Sequence, residues 1–156
     1  KYGYQVLHIA DRFDLAGGEL DRNAAYDYAR ERVEEVLQEN PSIEVLIDLH
    51  GRSCHGAYPE GGVDTVVMAA TLISSLQTFV SRTISPLNSA VLSFGEIQGG
   101  TACNIVCDHV RIHGTLRTLD PATRAQAKEY IRNQATSIAA AYGGTATCSS
   151  TPAMMR

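Results

Sequence analysis

The chain has 156 residues, enough for one ordinary domain or two small units. Hydrophobic residues make up 44% and charged residues 19%, which excludes a disordered chain, and no apolar run approaches the ~20 residues of a membrane-crossing helix. The net charge of -4 argues against a nucleic-acid partner, because such binders present a basic face.

The chain opens inside a strand-like stretch at Lys1-Tyr2-Gly3-Tyr4, with no initiator Met, and is expected to lack its natural beginning. Residues 4–10 read as a short strand, and Gly17-Gly18 marks a turn. Asp21 or Asn23 can cap a helix over 24–39, which Asn40-Pro41-Ser42 stops because proline cannot continue the helical ladder. The β-branched run Ile43-Glu44-Val45-Leu46-Ile47-Asp48-Leu49 reads as a buried strand. Strand, helix and strand in that order predict a βαβ unit, with 4–10 parallel beside 43–49.

A second unit comes after it. His50-Gly51-Arg52-Ser53-Cys54-His55-Gly56-Ala57-Tyr58-Pro59 emerges from the strand end, a common place for chemistry, although a plain turn has the same composition. Residues 63–82 are predicted helical, with Val66, Val67, Ala70, Ile73, Leu76, Gln77 and Val80 repeating at three and four. Ser85-Pro86 breaks that helix. Residues 90–98 form a strand, 99–102 a tight loop, and 106–118 a second strand whose alternation implies one buried and one open face. Asp120 and Pro121 cap and open a helix to about Tyr142, ended by Gly143-Gly144, and 145–151 supply a last strand. From residue 43 onward the order is β-α-β-β-α-β. The expected fold class is therefore α+β, a ferredoxin-like sandwich over 43–151 with two helices on one face of an antiparallel sheet, extended by the N-terminal β-α unit into one mixed sheet.

Cys54, Cys103, Cys107 and Cys148 contain no CxxC pair, which points to reduced thiols and a cytoplasmic compartment. Cys103 and Cys107 are expected on one side of an extended stretch, an arrangement unlike a zinc knuckle. His109 and His113 are expected on the open strand face.

Two resemblances arise from these residues. Gly51-Arg52-Ser53-Cys54-His55-Gly56-Ala57-Tyr58-Pro59, Gly99-Gly100-Thr101-Ala102-Cys103-Asn104-Ile105, Gly114-Thr115-Leu116-Arg117-Thr118 and Asp120-Pro121 carry the first. Over 51–148 the chain resembles the dimerisation (lid) domain of M20-family metallopeptidases and amidohydrolases, in the N-acyl-amino-acid and hippurate amidohydrolase branch. The resemblance implies a homodimer, for which helix 63–82 and edge strand 90–98 are the candidate surface, since an unpaired edge can pair with its twin. It implies no cofactor in the lid itself, a divalent zinc or manganese pair in a separate catalytic domain, and a small N-acyl amino acid or peptide as substrate. It gives His55 the role of oxyanion stabiliser in the partner subunit's site, and Asn104 and Arg117 the role of substrate binding. Each has a plain alternative: a turn histidine, a turn asparagine, a solvated strand arginine. Cys107 stands where that family has proline.

Phe13-Asp14-Leu15, Asp21-Arg22, Ala25-Tyr26 and Glu39-Asn40-Pro41-Ser42-Ile43, running into Ile47-Asp48-Leu49-His50, carry the second. Over 1–50 the chain resembles part of the amidase domain of the stage II sporulation protein P family. That resemblance implies His50 as a zinc ligand of a peptidoglycan amidase, one of the three protein ligands such a site needs. The expected organisation is a join of two lineages at His50/Gly51, with 43–49 standing in for the lid's first strand. A ferredoxin-like binding module without ancestral chemistry is the third reading.

Overall fold

The computed structural model describes residue 25, residues 27–31 and residues 42–152. Ala25 and residues 27–31 are helical, within the stretch expected to be a helix, and the expected strand at 4–10 lies outside the described residues. The chain divides into two compact units, Lys1–Pro41 and Ser42–Arg156. The second unit carries every strand among the described residues.

Its elements are β1 (Ile43–His50), β2 (Cys54–His55), a 3-10 turn (Pro59–Gly61), α1 (Thr65–Thr78) running into a π turn (Phe79–Thr83), β3 (Ala90–Gly99), β4 (Ile105–Val106), β5 (His109–Thr118), α2 (Pro121–Ala141) and β6 (Thr145–Pro152). Four strands form one antiparallel sheet in the order β3-β5-β1-β6, and β2 pairs with β4 in a small second sheet. This is the expected β-α-β-β-α-β sandwich. β1 is a central strand, hydrogen-bonded to β5 on one edge and β6 on the other.

Alternation sorts the sheet into two faces. Ile43, Val45, Ile47 and Leu49 of β1 and Val110, Ile112 and Leu116 of β5 are buried beneath the helices. Burying an aliphatic side chain of this size contributes roughly 1.5–3 kcal/mol. Glu44, Asp48 and His50, with His109, Arg111, His113, Thr115 and Arg117, occupy the alternate positions on the open face.

Both helices start on an aspartate. Asp64 Oδ1 accepts from the backbone N–H groups of Val66 at 2.8 Å and Val67 at 3.2 Å. Asp120 Oδ2 accepts from the Thr123 hydroxyl and N–H, each at 2.7 Å, and these bonds hold its carboxyl below the usual carboxylate range. Pro121 takes the first turn of α2, where its missing N–H is not needed. Gly143, at φ +80°, ends α2, and Gly144 N–H donates back to the Ala139 carbonyl at 2.8 Å.

The face that α1 buries is not the expected stripe. Thr65, Met68, Ala69, Leu72 and Leu76 are buried, with Phe79 following in the π turn, while Val66 is 52% and Val67 47% exposed. Residues 66–70 are all apolar, so spacing alone selects no face. The register is decided by Thr65, whose hydroxyl donates to the Cys107 carbonyl at 2.9 Å, and by the large side chains that reach the sheet.

Candidate functional site

At the His109 end of β5, four short segments are stitched together. Gly51 N–H donates to the Asp108 carbonyl at 2.7 Å, which ties the end of β1 to the start of β5. Cys54 and His55 then pair with Val106 and Ile105. Gly56 N–H continues that ladder to the Asn104 carbonyl at 2.8 Å, and Tyr58 N–H turns back to the His55 carbonyl at 2.8 Å. Gly100, at φ +84°, makes the tight turn expected at Gly99-Gly100. These bonds hold the backbone of His55 and that of Asn104 side by side.

Their side chains meet. His55 Nε2 lies 3.3 Å from the Asn104 carboxamide, and its Nδ1 accepts from the Ala57 N–H at 3.1 Å. The Tyr58 ring stands tilted at 6.2 Å from the imidazole. His55, Asn104 and Tyr58 are all solvent-facing, so the group is a presented edge rather than an enclosed pocket. Cys103 and Cys107 do not share a side, in contrast to the expectation of an extended stretch. Cys103 sits exposed in the turn after Gly100. Cys107 is buried, its thiol donating to the His109 carbonyl at 3.0 Å and its carbonyl accepting from both groups of Thr65.

Arg117 is not part of this group. It is exposed near the other end of β5, opposite Val91 of β3. Eight residue steps of extended chain separate it from His109, about 26 Å at the usual rise. No carboxylate among the described residues pairs with it.

The open sheet face carries a network that the sequence pattern leaves unassembled. Asp48 Oδ1 accepts from Arg111 Nε at 2.9 Å and meets His109 Nε2 at 3.0 Å. Burial works to raise the Asp48 carboxyl, and the hydrogen bonds and charges of Arg111 and His109 outweigh it, so the group titrates below the usual carboxylate range. His113 lies between Glu96 at 3.4 Å and Glu44 at 3.9 Å. The available signal is the polar alternation of β1 and β5, but their mutual register is needed to pair the residues. His50 stacks on His109 with ring centroids 5.0 Å apart. Among the described residues no group of three or more His, Cys, Asp or Glu is arranged to hold a metal.

An antiparallel four-stranded sheet, two helices on one face, and a polar presented edge beyond the strand ends define an α+β sandwich domain. The peptidase dimerisation domain of the M20 family matches residues 37–143, and the chain belongs to that family. Residues 1–61 are also similar to stage II sporulation protein P, so the two matched ranges overlap over 37–61.

Among characterised relatives, N-acetyldiaminopimelate deacetylase of Priestia megaterium is 50% identical over 88 residues, covering 56% of this chain and 24% of that protein. The Bacillus subtilis enzyme of the same name is 46% identical over 90 residues, 58% of this chain and 24% of its own length. The chain thus spans about a quarter of these relatives. In structure it is similar to aminopeptidase PepT of Bacillus cereus, with a TM-score of 0.62 and 25% identity over 72% of this chain and 29% of that one. A dinuclear metal-binding peptidase of the M20 family from Bacillus subtilis aligns with a TM-score of 0.55 and 27% identity, over 72% of this chain and 26% of that one.

Proposed function

We propose that residues 42–152 act as the lid and dimerisation module of an M20-type amidohydrolase that hydrolyses N-acyl amino acids or peptides, and that they are not catalytic alone. The observation that carries the reading is the separation within one lid: His55 and Asn104 share one end of β5, and Arg117 stands near the other. In this reading His55 reaches into a partner subunit's site, where the imidazole N–H stabilises the oxyanion formed as water attacks the amide, Asn104 donates near the same centre, and Arg117 binds the substrate carboxylate, a task suited to its planar fork. Water activation by a zinc or manganese pair belongs, in this reading, to a separate catalytic domain.

The dimer forms through the outward face of α1 and the free edge of β3. Val66 and Val67 on the helix and Val91 (54% exposed) and Ile97 (57%) on the strand supply its apolar area, and the β3 edge, unpaired among the described residues, can pair with its twin. Sedimentation across a concentration series should show a monomer–dimer equilibrium; a strict monomer at high concentration overturns this surface. The free thiols of all four cysteines fit a cytoplasmic setting.

The decisive experiment replaces the matching quarter of the Priestia megaterium deacetylase with residues 42–152. The exchanged enzyme should deacetylate. His55→Ala should then lower kcat about 10²–10³-fold, the usual loss for one oxyanion donor. A change of only a few-fold removes His55 from the reaction.

The match of residues 1–61 to stage II sporulation protein P favours a second reading, a fragment of a zinc-dependent peptidoglycan amidase joined to the lid at His50/Gly51. Zinc retained through gel filtration, with cleavage of peptidoglycan stem peptides, would support it; absence of both would end it. One long DNA read across the codons for His50 and Gly51 tests the join itself. If no ligand affinity changes on replacing His55, Asn104 and Arg117 together, a plain ferredoxin-like binding module is the better description.

A further inference from the structure

We propose that the Ala57 peptide N–H locks His55 in the neutral tautomer with its proton on Nε2, and that Asn104 faces it with its amide oxygen. His55 and Asn104 then offer only N–H donors to an incoming oxygen. The inference rests on the lid reading for its use in amide hydrolysis, but its geometry stands on the loop alone.

A backbone N–H can only donate, and Ala57 N–H donates to His55 Nδ1 at 3.1 Å. Nδ1 must therefore carry a lone pair, and in a neutral imidazole the proton then sits on Nε2. The alternative tautomer would set the Nδ1 hydrogen against the Ala57 hydrogen. The contact cannot easily open, because Gly56 N–H is held by the Asn104 carbonyl and Tyr58 N–H by the His55 carbonyl, on either side of Ala57.

The structure sets Asn104 Nδ2 3.3 Å from Nε2. With a proton on Nε2, an amide nitrogen there would oppose donor to donor. A half-turn of the amide places Oδ1 toward the ring and satisfies both groups. Nδ2 then points away with both hydrogens free. The half-turn exchanges Oδ1 for Nδ2 in place, about 3.3 Å from Nε2 and longer than the usual 2.9–3.0 Å, so the same hydrogen can be shared with a second acceptor.

The consequence is a direction of chemistry. Nε2 of His55 cannot accept a proton from water or substrate while Ala57 holds Nδ1. The ring serves as a fixed donor, matched to an oxygen that gains negative charge, and the freed Asn104 N–H groups add a second donor beside it. Ala57 and Asn104 are thus positioning residues for His55.

The test is long-range ¹H–¹⁵N spectroscopy of the histidine rings in the whole 156-residue chain, above the titration range of histidine. The His55 ring should show the pattern of a protonated Nε2 and an unprotonated Nδ1. A protonated Nδ1, or an averaged pattern of both tautomers, overturns the inference. Asn104→Asp keeps an acceptor toward Nε2 and should leave the tautomer unchanged; a native Nδ1–H ring that switches to Nε2–H in Asn104→Asp would show that Nε2 had been accepting from the amide and overturns the inference. Ala57→Pro removes the N–H and should give an averaged ring pattern in a chain whose backbone spectrum is otherwise intact; an unchanged Nε2–H pattern in such a chain overturns the locking role. These outcomes are independent of the exchanged deacetylase. A locked Nε2–H ring with no kinetic effect of His55→Ala leaves the tautomer standing and ends the lid mechanism.

Discussion

The two faces of the sheet are made by the same strands and obey different rules. On the covered face Ile47, Leu49, Ile112 and Leu116 have no solvent exposure, and their contribution scales with area and fit. On the open face Asp48, Arg111, His109, His113, Glu44 and Glu96 meet through polar contacts open to water, where each pair is screened. Stability therefore resides on one side, while the open side and the loop edge are free to be spent on recognition.

That contrast can be broken most strongly from beneath. Phe79 is fully buried and packs against the Tyr130 ring at 5.0 Å, so Phe79→Ala should cost about 3–5 kcal/mol in denaturant unfolding. Ile47→Ala, in the middle of the central strand, should cost about 2–5 kcal/mol. A loss under ~1 kcal/mol at either position would mean that the covered face is not the core. Asp64→Ala removes the acceptor for two N–H groups of α1 and should cost about 1 kcal/mol.

The open face should respond least. Asp48→Asn breaks a partly exposed pair, and a change within about 1 kcal/mol at neutral pH is expected. Its signature is pH dependence. Because the folded-state pKa of Asp48 lies below its unfolded value of about 3.9, its stabilisation is whole above that value. It disappears as the pH falls through the folded pKa. Thermal melts of the native chain should therefore lose stability on the acid side more steeply than those of Asp48→Asn, and coincident acid limbs would show that the network does nothing. The smallest effect is chemical. Burial pushes the Cys148 thiol up, with Arg132 opposing in part, so exposed Cys103 should alkylate well before Cys148.

The loop edge marks how far sequence reading reaches. His55 and Asn104 are legible in the Gly-Arg-Ser-Cys-His and Gly-Gly-Thr-Ala-Cys-Asn patterns, but their mutual contact spans 49 residues of chain. Only the β2–β4 pairing brings them together. Arg117 is legible beside them, and the direction of β5 carries it away. The Ala57 N–H carries no sequence signal, since every residue but proline has one.

The amino-acid sequence by itself determined the element order, the caps at Asp120 and Pro121, the glycine stop at 143–144 and the two-faced alternation of β5. These depend on local propensity and a period of two, which neighbours along the chain are enough to set. Tertiary structure alone decided that β1 is central with both edges filled, that α1 buries Met68, Leu72 and Leu76 in place of Val66 and Val67, and that His55 meets Asn104. Such choices are made by pairing and packing between segments far apart in sequence. An apolar helix has several faces that satisfy its own spacing, and only the sheet beneath selects one.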